Sequence, residues 1–450
     1  MIYKIFAEKD TFITNIRVNG VQRTGSNFGE CEILHLFKRV ETNLTSSIAR
    51  ILTKFDLSVL QDLVVDGYAP ASNKKFYLKL HDADHDKTLP SSFDVEVQSV
   101  TQQWDEGRGF DVDSFADKGF ANWVNARTAV QWTTPGASGS GPISVESFDN
   151  GHENMEVDVT PIVDQWLSGS TNNGFLVKLS SSLELDNNNY YIKMFHGKQT
   201  FFKDRRPCLE VRWDDSIKDD RNNFFFDVSG TLTLKNKIRG QFTDIPSIGT
   251  GSVGVKIVNG SSVLSVLTGS HAGTPGVYTV DFAIASASYS GSVFNDVWFN
   301  LSSPTTAYLT GSFSMKETQI STSNYPKRYF VSIPNLKNSY SLDELARLNL
   351  FVRPHDYNVA RVLTASLEPR GEVITKGYYK IVNDRTDEVV IGFGTGSLET
   401  TRLSYDENGN YFNLHMGSLS SGNIYRLSFL FDVDGQRQYI TDAGLKFRVI

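Results

Sequence analysis

The stretch MEVDVTPIVDQWLSGSTNNGFLVKL, Met155 to Leu179, decides the fold. Glu156 to Val159 alternates in character and reads as the end of a strand. Thr160 is a good N-cap, and Pro161 falls at the first helical position, where its missing N–H costs nothing. Ile162, Val163, Trp166 and Leu167 share one face of a short helix, and Gly169 can end it in the left-handed conformation. After the polar turn Ser170 to Asn173, Gly174 opens the apolar run Phe175 to Leu179, a buried strand. A helix this short is not stable alone. It is expected to dock on a sheet with Trp166 turned inward.

Further strands flank this stretch. Arg50 to Leu60, RILTKFDLSVL, reads as a strand running into a helical turn. Val100 to Glu106 carries Trp104, Arg206 to Trp213 reads RPCLEVRW, and Ser26 to Glu32 holds a turn at Asn27, Phe28 and Gly29. In this order the pieces resemble the DNRLRE domain, also seen as a family 96 carbohydrate-binding module. That family shows a DVT-x-x-V-x-x-W-x-x-G element followed by Asn, Gly and Phe. Here Asp158, Val159, Thr160, Val163, Trp166, Gly169, Asn173, Gly174 and Phe175 match it. The resemblance covers roughly residues 1–215. It implies a jelly-roll β-sandwich of the kind found in secreted, cell-wall and phage proteins, with Trp104 and Trp166 in the core and Glu106 structural. It implies binding or structure rather than catalysis.

The chain has 450 residues, 40% hydrophobic and 12% aromatic, enough for several packed cores weighted toward sheets. A net charge of −7 argues against nucleic acid as the main partner. No apolar run approaches the length of a membrane span. The first residues, MIYKIFAEKDTFITN, read as a strand and lack the pattern of a secretion signal. The two cysteines, Cys31 and Cys208, fall in strands of the same domain; two buried thiols is the favoured reading and a disulfide the alternative.

The expected fold class is all-β: tandem β-sandwiches, an N-terminal jelly roll followed by two immunoglobulin-like domains. Residues 1–215 form the first domain. Residues 216–223, within DDSIKDDRNN, are charged and read as a linker. Residues 224–322 offer about seven short strands joined by Gly, Ser and Thr, as in an immunoglobulin-like sandwich. In its phrase GVYTVDFAI the inward set is expected to begin with Val277 and Thr279. Residues 323–450 read as a C-terminal β-sandwich. There Ser341-Leu342-Asp343-Glu344 suggests a capping box and one helical turn, and Asp434-Gly435 a hairpin. This last unit also resembles modules of large tailed-phage virion proteins, through Tyr378 to Val382, SYDENGNYFNL and FRVI.

Candidate chemistry is sparse. No nucleophile elbow or phosphate-binding glycine loop is present; Gly269-Ser270-His271 has the wrong spacing. Asp105 and Glu106 are adjacent on a strand, so they point to opposite faces and cannot oppose each other across a sugar. Asp82, Asp84 and Asp86 form a D-x-D-x-D run that could wrap Ca²⁺. Lys87 and Phe93 stand where an EF-type loop needs Gly and Glu, so a solvated acidic turn is the favoured reading. Trp123 and Trp132, in the long irregular segment Asp105 to Gly141, are either sugar platforms or loop packing.

No catalytic residue and no cofactor other than a possible Ca²⁺ is therefore assigned. The expected function is that of a structural component of a tailed-phage virion, at the neck, collar, baseplate or fibre. It would be made in the host cytoplasm and docked in several copies to other virion proteins, with neither nucleic acid nor membrane as partner. The alternative is a glycan-binding protein with β-sandwich spacers.

Overall fold

The structure, a computed structural model, describes all residues except 41–45, 71, 85–91, 188–189, 222, 287–292, 318–326, 356–370 and 434. The expected Asp434-Gly435 turn lies partly outside the described residues. The chain divides into two compact units. The smaller holds Tyr3–Ser58 and Lys74–Arg212; the larger holds Met1–Ile2, Val59–Asn73 and Trp213–Ile450.

The smaller unit is a sandwich of two sheets. One sheet orders its strands Ile2–Phe6, Cys208–Arg212, Lys75–Leu80 and Met155–Asp158. The other runs Gly139–Phe148, Phe93–Val100, Phe175–Leu179, Ser46–Lys54, Ile33–Val40 and Tyr190–His196, with Lys9–Thr14 also pairing onto Ser46–Lys54. Leu34, Leu36, Ile51, Val95, Val97, Phe175 and Val177 are all fully buried.

Met155 to Leu179 is where the chain crosses from one sheet to the other. Met155–Asp158 pairs antiparallel with Lys75–Leu80, and Phe175–Leu179 lies between Phe93–Val100 and Ser46–Lys54. The helix Thr160–Leu167 bridges them. Ile162, Val163 and Trp166 are buried, whereas Leu167, expected on the same face, is exposed. The Trp166 ring lies 4.7 Å from that of Phe175, and its Nε1 donates to Ser99 Oγ at 3.0 Å. That bond satisfies the polar end of a buried indole.

The cap differs from expectation. Thr160 is already helical; its N–H donates to Asp158 Oδ1 at 2.9 Å, and its hydroxyl accepts from the Phe76 N–H of the adjacent strand. The hydroxyl therefore ties helix to sheet. Gly174 is required by space as well as by its φ of +94°: a Cβ there would lie 2.3 Å from the Thr53 carbonyl oxygen.

The larger unit contains two apolar cores. One belongs to a seven-stranded path, Phe224–Phe225, Ser303–Lys316, Val293–Asn300, Val253–Asn259, Ser262–His271, Val277–Phe282 and Gly230–Lys235. Ser262–His271 passes between layers. It pairs with Val253–Asn259 along most of its length and with Val277–Phe282 through Ser270 and His271. The strand in GVYTVDFAI alternates, but Tyr278, Val280 and Phe282 face the core while Thr279 and Asp281 do not. Val277 is buried as expected but Thr279 is not; the core face continues from Tyr278, whose hydroxyl finds the Gly249 carbonyl at 2.6 Å.

The second core lies between two sheets. One is Tyr329–Ser332, Leu345–Pro354, Gly409–His415 and Ser404–Asp406. The other is Ser339–Tyr340, Gln436–Val449, Ile424–Val433, Gly377–Asn383 and Val389–Ile391. Tyr379 and Phe412 stack across the two at 4.3 Å. Ser341 to Glu344 makes a single turn closed by Glu344 N–H on the Ser341 carbonyl, not a helix. The chain is thus all-β, built of tandem β-sandwiches, immunoglobulin-like in its later part.

The described residues of 216–223, expected as a linker, are tied into this unit. Ile217 N–H donates to Ser404 Oγ, Tyr405 N–H to the Ile217 carbonyl, Asp219 N–H to the Tyr405 carbonyl and Asp220 N–H to the Thr231 carbonyl. Alternation explains it: Ile217 and Asp219 turn inward and are buried. The charges that suggested solvent are spent locally. Arg221 grips Asp296 through two bonds of 2.8 and 2.7 Å.

Trp166→Ala should cost the smaller unit about 3–5 kcal/mol, a large part of a domain's stability. Thermal melting with near-UV circular dichroism measures this. A variant that melts like the parent would move Trp166 out of the core.

Candidate functional site

Outside the sandwich of the smaller unit lies the long segment 101–137, which covers one face of the larger sheet. Ile13, Leu52, Val100 and Leu176 project from strands into a cluster with Trp104, Ala121, Ala126, Trp132 and Ala137. Trp104 Nε1 donates to the Asn173 carbonyl at 2.9 Å, and Trp132 Nε1 to the Asn122 carbonyl at 2.8 Å. Trp132 is only 4% exposed. It packs the loop and offers no free ring face to a sugar, which corrects its reading as a platform. Trp123 is half-buried, with the Arg50 guanidinium 5.3 Å from its ring centre and Gly136 against its edge.

Two buried asparagines organise the segment. Asn27 Nδ2 donates to the Glu106 and Ala121 carbonyls, and its Oδ1 accepts from Gly29 N–H and Gly109 N–H. Asn122 repeats the arrangement, donating to the Lys118 and Phe120 carbonyls and accepting from Val124 N–H and Asn125 N–H. Each uses its whole amide capacity on backbone. Gly29 is forced here, since a Cβ would stand 2.4 Å from the Glu106 and Gly107 carbonyl oxygens.

The same region gathers an acidic pair that the sequence had not brought together. Glu106 Oε1 accepts from Asp10 N–H at 2.7 Å, and its Oε2 pairs with Lys198 Nζ at 2.6 Å. Asp10 Oδ2 accepts from Lys198 N–H at 2.6 Å. Asp10 Oδ1 is buried and meets no donor among the described residues. Burial pushes the Asp10 carboxyl up to about 7; the bond from Lys198 N–H opposes this rise and the neighbouring Glu106 adds to it. Burial likewise raises Glu106, against the pull of Lys198. The pair can hold a proton near neutrality. The sequence signal was an Asp inside a strand, and its partners lie 96 and 188 positions away. Asp105, weighed beside Glu106, instead pairs its backbone with Ala121 and Ala126.

The D-x-D-x-D run is divided. Asp82 Oδ1 lies 2.5 Å from Lys193 Nζ, a fully buried ammonium that also donates to the Gly151 and Glu153 carbonyls at 2.8 Å. Phe148 and Phe195 flank it, their ring centres 5.0 and 5.2 Å away. Burial lowers Lys193, and Asp82 holds the proton on. Asp84 is exposed, and Asp86 lies outside the described residues. Among the described residues no group of three or more His, Cys, Asp or Glu side chains could hold a metal. Cys31 and Cys208 are both free thiols.

No family model matches the chain, and no curated protein matches it. Among solved structures, a chimeric titin Z1Z2 tandem aligns at 10% identity over 50% of this chain and 91% of its own, with a TM-score of 0.17. Chicken CNTN1 FN1–FN3 domains align at 8% identity over 84% of this chain and 100% of theirs, at 0.16. An α-2-macroglobulin from Escherichia coli aligns at 10% identity over 88% of this chain and 24% of its own, at 0.17. At such scores these likenesses assign no function, and the fold rests on the sheets described above.

Asp10 binds its proton more tightly folded than unfolded, so its contribution to stability falls as pH rises from about 4 to about 7. Asp10→Asn should remove that slope, with a gain of up to about 4 kcal/mol at pH 8 and a smaller one at pH 5. Urea unfolding of parent and variant at both pH values tests it; equal gains would show that Asp10 does not titrate in this range.

Asp82 is committed to an ammonium, so added Ca²⁺ is expected to leave the melting temperature unchanged. Lys193→Met should cost about 3–5 kcal/mol by stranding the buried carboxylate. A calcium-dependent rise of several degrees that Asp84→Ala abolishes would install the cation site instead.

Proposed function

We propose that this chain is a non-enzymatic structural protein of a tailed-phage virion that works by docking its β-sandwiches to other virion proteins. The observation that carries the reading is how its reactive-looking side chains are used. Trp104, Trp132, Glu106 and Asp82 each bind a loop or a buried ammonium to the sandwich. Such use favours a rigid body with shaped loops, which suits assembly. The resemblance of residues 1–215 to a domain found in phage proteins points the same way. So does the looser likeness of the C-terminal sandwich to virion modules. The half-buried Trp123 keeps a glycan-binding role as the second reading.

Mass spectrometry of gradient-purified virions from the source, followed by labelling to place the chain, is the test. The expected result is a stoichiometric virion component. Absence from particles, together with measurable affinity of the purified chain for a polysaccharide, would replace this reading with the glycan-binding one.

A further inference from the structure

Lys193 is an unusual residue for its place. It stands on the edge strand Tyr190–His196 opposite the fully buried Leu36, is itself 1% exposed, and has the Phe148 and Phe195 rings beside it. Asp82 comes from the other sheet. Beyond the strand Lys75–Leu80 the chain runs along this edge, where His196 N–H donates to the His81 carbonyl at 2.9 Å and Ala83 N–H to the Met194 carbonyl at 3.0 Å. That path seats Asp82 Oδ1 2.5 Å from Lys193 Nζ, across 111 positions of sequence. The Asp82 carboxyl carbon, one bond beyond that oxygen, then falls at roughly the 3–3.5 Å of a near-attack arrangement. The Glu153 carboxylate acts on Lys193 electrostatically, and its Oε2 is buried and meets no donor among the described residues.

We propose that Lys193 and Asp82 condense to an amide, an intramolecular isopeptide bond that ties the two sheets of the smaller unit together. The ion pair is the reactant. Lys193 Nζ gives up two protons and forms a bond to Asp82 Cγ. One Cγ–O bond breaks, and that oxygen leaves with the two protons as water. Ammonium and carboxylate become amide and water, so the charge balances and nothing is oxidised or reduced. Glu153 relays a proton from the nitrogen to the departing oxygen. A buried ion pair adds little net stability, because both charges lose their hydration. The amide removes both charges from the interior and keeps an N–H for the Gly151 or Glu153 carbonyl. Held in contact, the two groups react as if at an effective concentration on the order of 10⁵ M or more. Burial, which already weakens proton binding at Lys193, favours the neutral amine that attacks. A cross-link closing so long a loop stabilises chiefly by restricting the unfolded chain. It forms within the isolated chain and is independent of the virion reading.

Intact mass spectrometry of the purified, denatured full-length chain tests it. The parent is expected to be one water lighter than its sequence. Trypsin should release residues 80–87 joined to residues 179–198, uncut after Lys193, with fragmentation locating the new bond. Lys193→Arg keeps a cation for Asp82 but removes the amine, so it should stay at full sequence mass. Glu153→Gln keeps the side-chain oxygen that accepts from Asp149 and Asn150 N–H but loses the relay. It should cut the cross-linked fraction of freshly made chain by roughly tenfold or more. Circular dichroism confirms that both variants fold. A parent at full mass with normal cleavage after Lys193, or one that loses water without yielding the branched peptide, would overturn the cross-link. A Glu153→Gln chain joined as fully as the parent would overturn the relay.

Discussion

A loop folded over a sheet must find a partner for every backbone N–H and C=O it buries. The segment 101–137 meets that constraint through two asparagine side chains. Asn27 and Asn122 each make four bonds to backbone and stand in for a strand that the irregular path cannot supply. Once the backbone is satisfied, the indoles of Trp104 and Trp132 can sink into the cluster on Leu52 and Leu176. Phe110 and Phe115 stay outside that cluster, exposed and stacked on each other. The outer layer of the smaller unit depends on these amides as well as on apolar burial, because each buried amide left unmatched would cost about 1–3 kcal/mol.

Much of the sandwich was legible from local pattern. Period-two alternation located Met155–Asp158 and Phe93–Val100, and the Pro161 and Gly169 pair placed the bridging helix. Where the structure differs from the local pattern, tertiary contacts decide. In the strand Val277–Phe282 the adjacent apolar residues Val277 and Tyr278 are both buried, so local pattern does not choose between the faces, and Tyr278, Val280 and Phe282 rather than Thr279 take the core. Ile217 and Asp219 looked like solvent-facing linker because their partners, Ser404 and Tyr405, come almost 190 residues later. Thr160 was read as a cap because its other partner, Phe76, is invisible at short range.

The site was less legible than the fold. Trp132 and Asp82 were noticed for their chemistry, and the structure turns both inward for reasons of pairing. Asp10, Glu106 and Lys198 went unjoined because no spacing rule connects a strand, a loop and a turn so far apart. Buried ion pairs of this kind do little for net stability against an apolar alternative. What they do here is hold neighbouring segments together: Lys193 gathers the 151–153 turn onto the sheet, and Lys198 ties its own turn to Glu106 of the long segment.

The two unpaired thiols have a practical corollary. Burial raises both Cys31 and Cys208 to about 11; nearby Asp10 and Asp111 add to the rise at Cys31. Only the thiolate reacts with alkylating reagents and oxidants. At neutral pH both sulfurs are therefore held overwhelmingly in the unreactive thiol form. Cys208 is buried packing, while Cys31, expected buried, is only partly covered and sits against the Phe110 carbonyl. A single cysteine introduced at a solvent-facing position would outcompete both natural ones, so fluorophores or cross-linkers can be attached without first stripping the native sulfurs from the sequence.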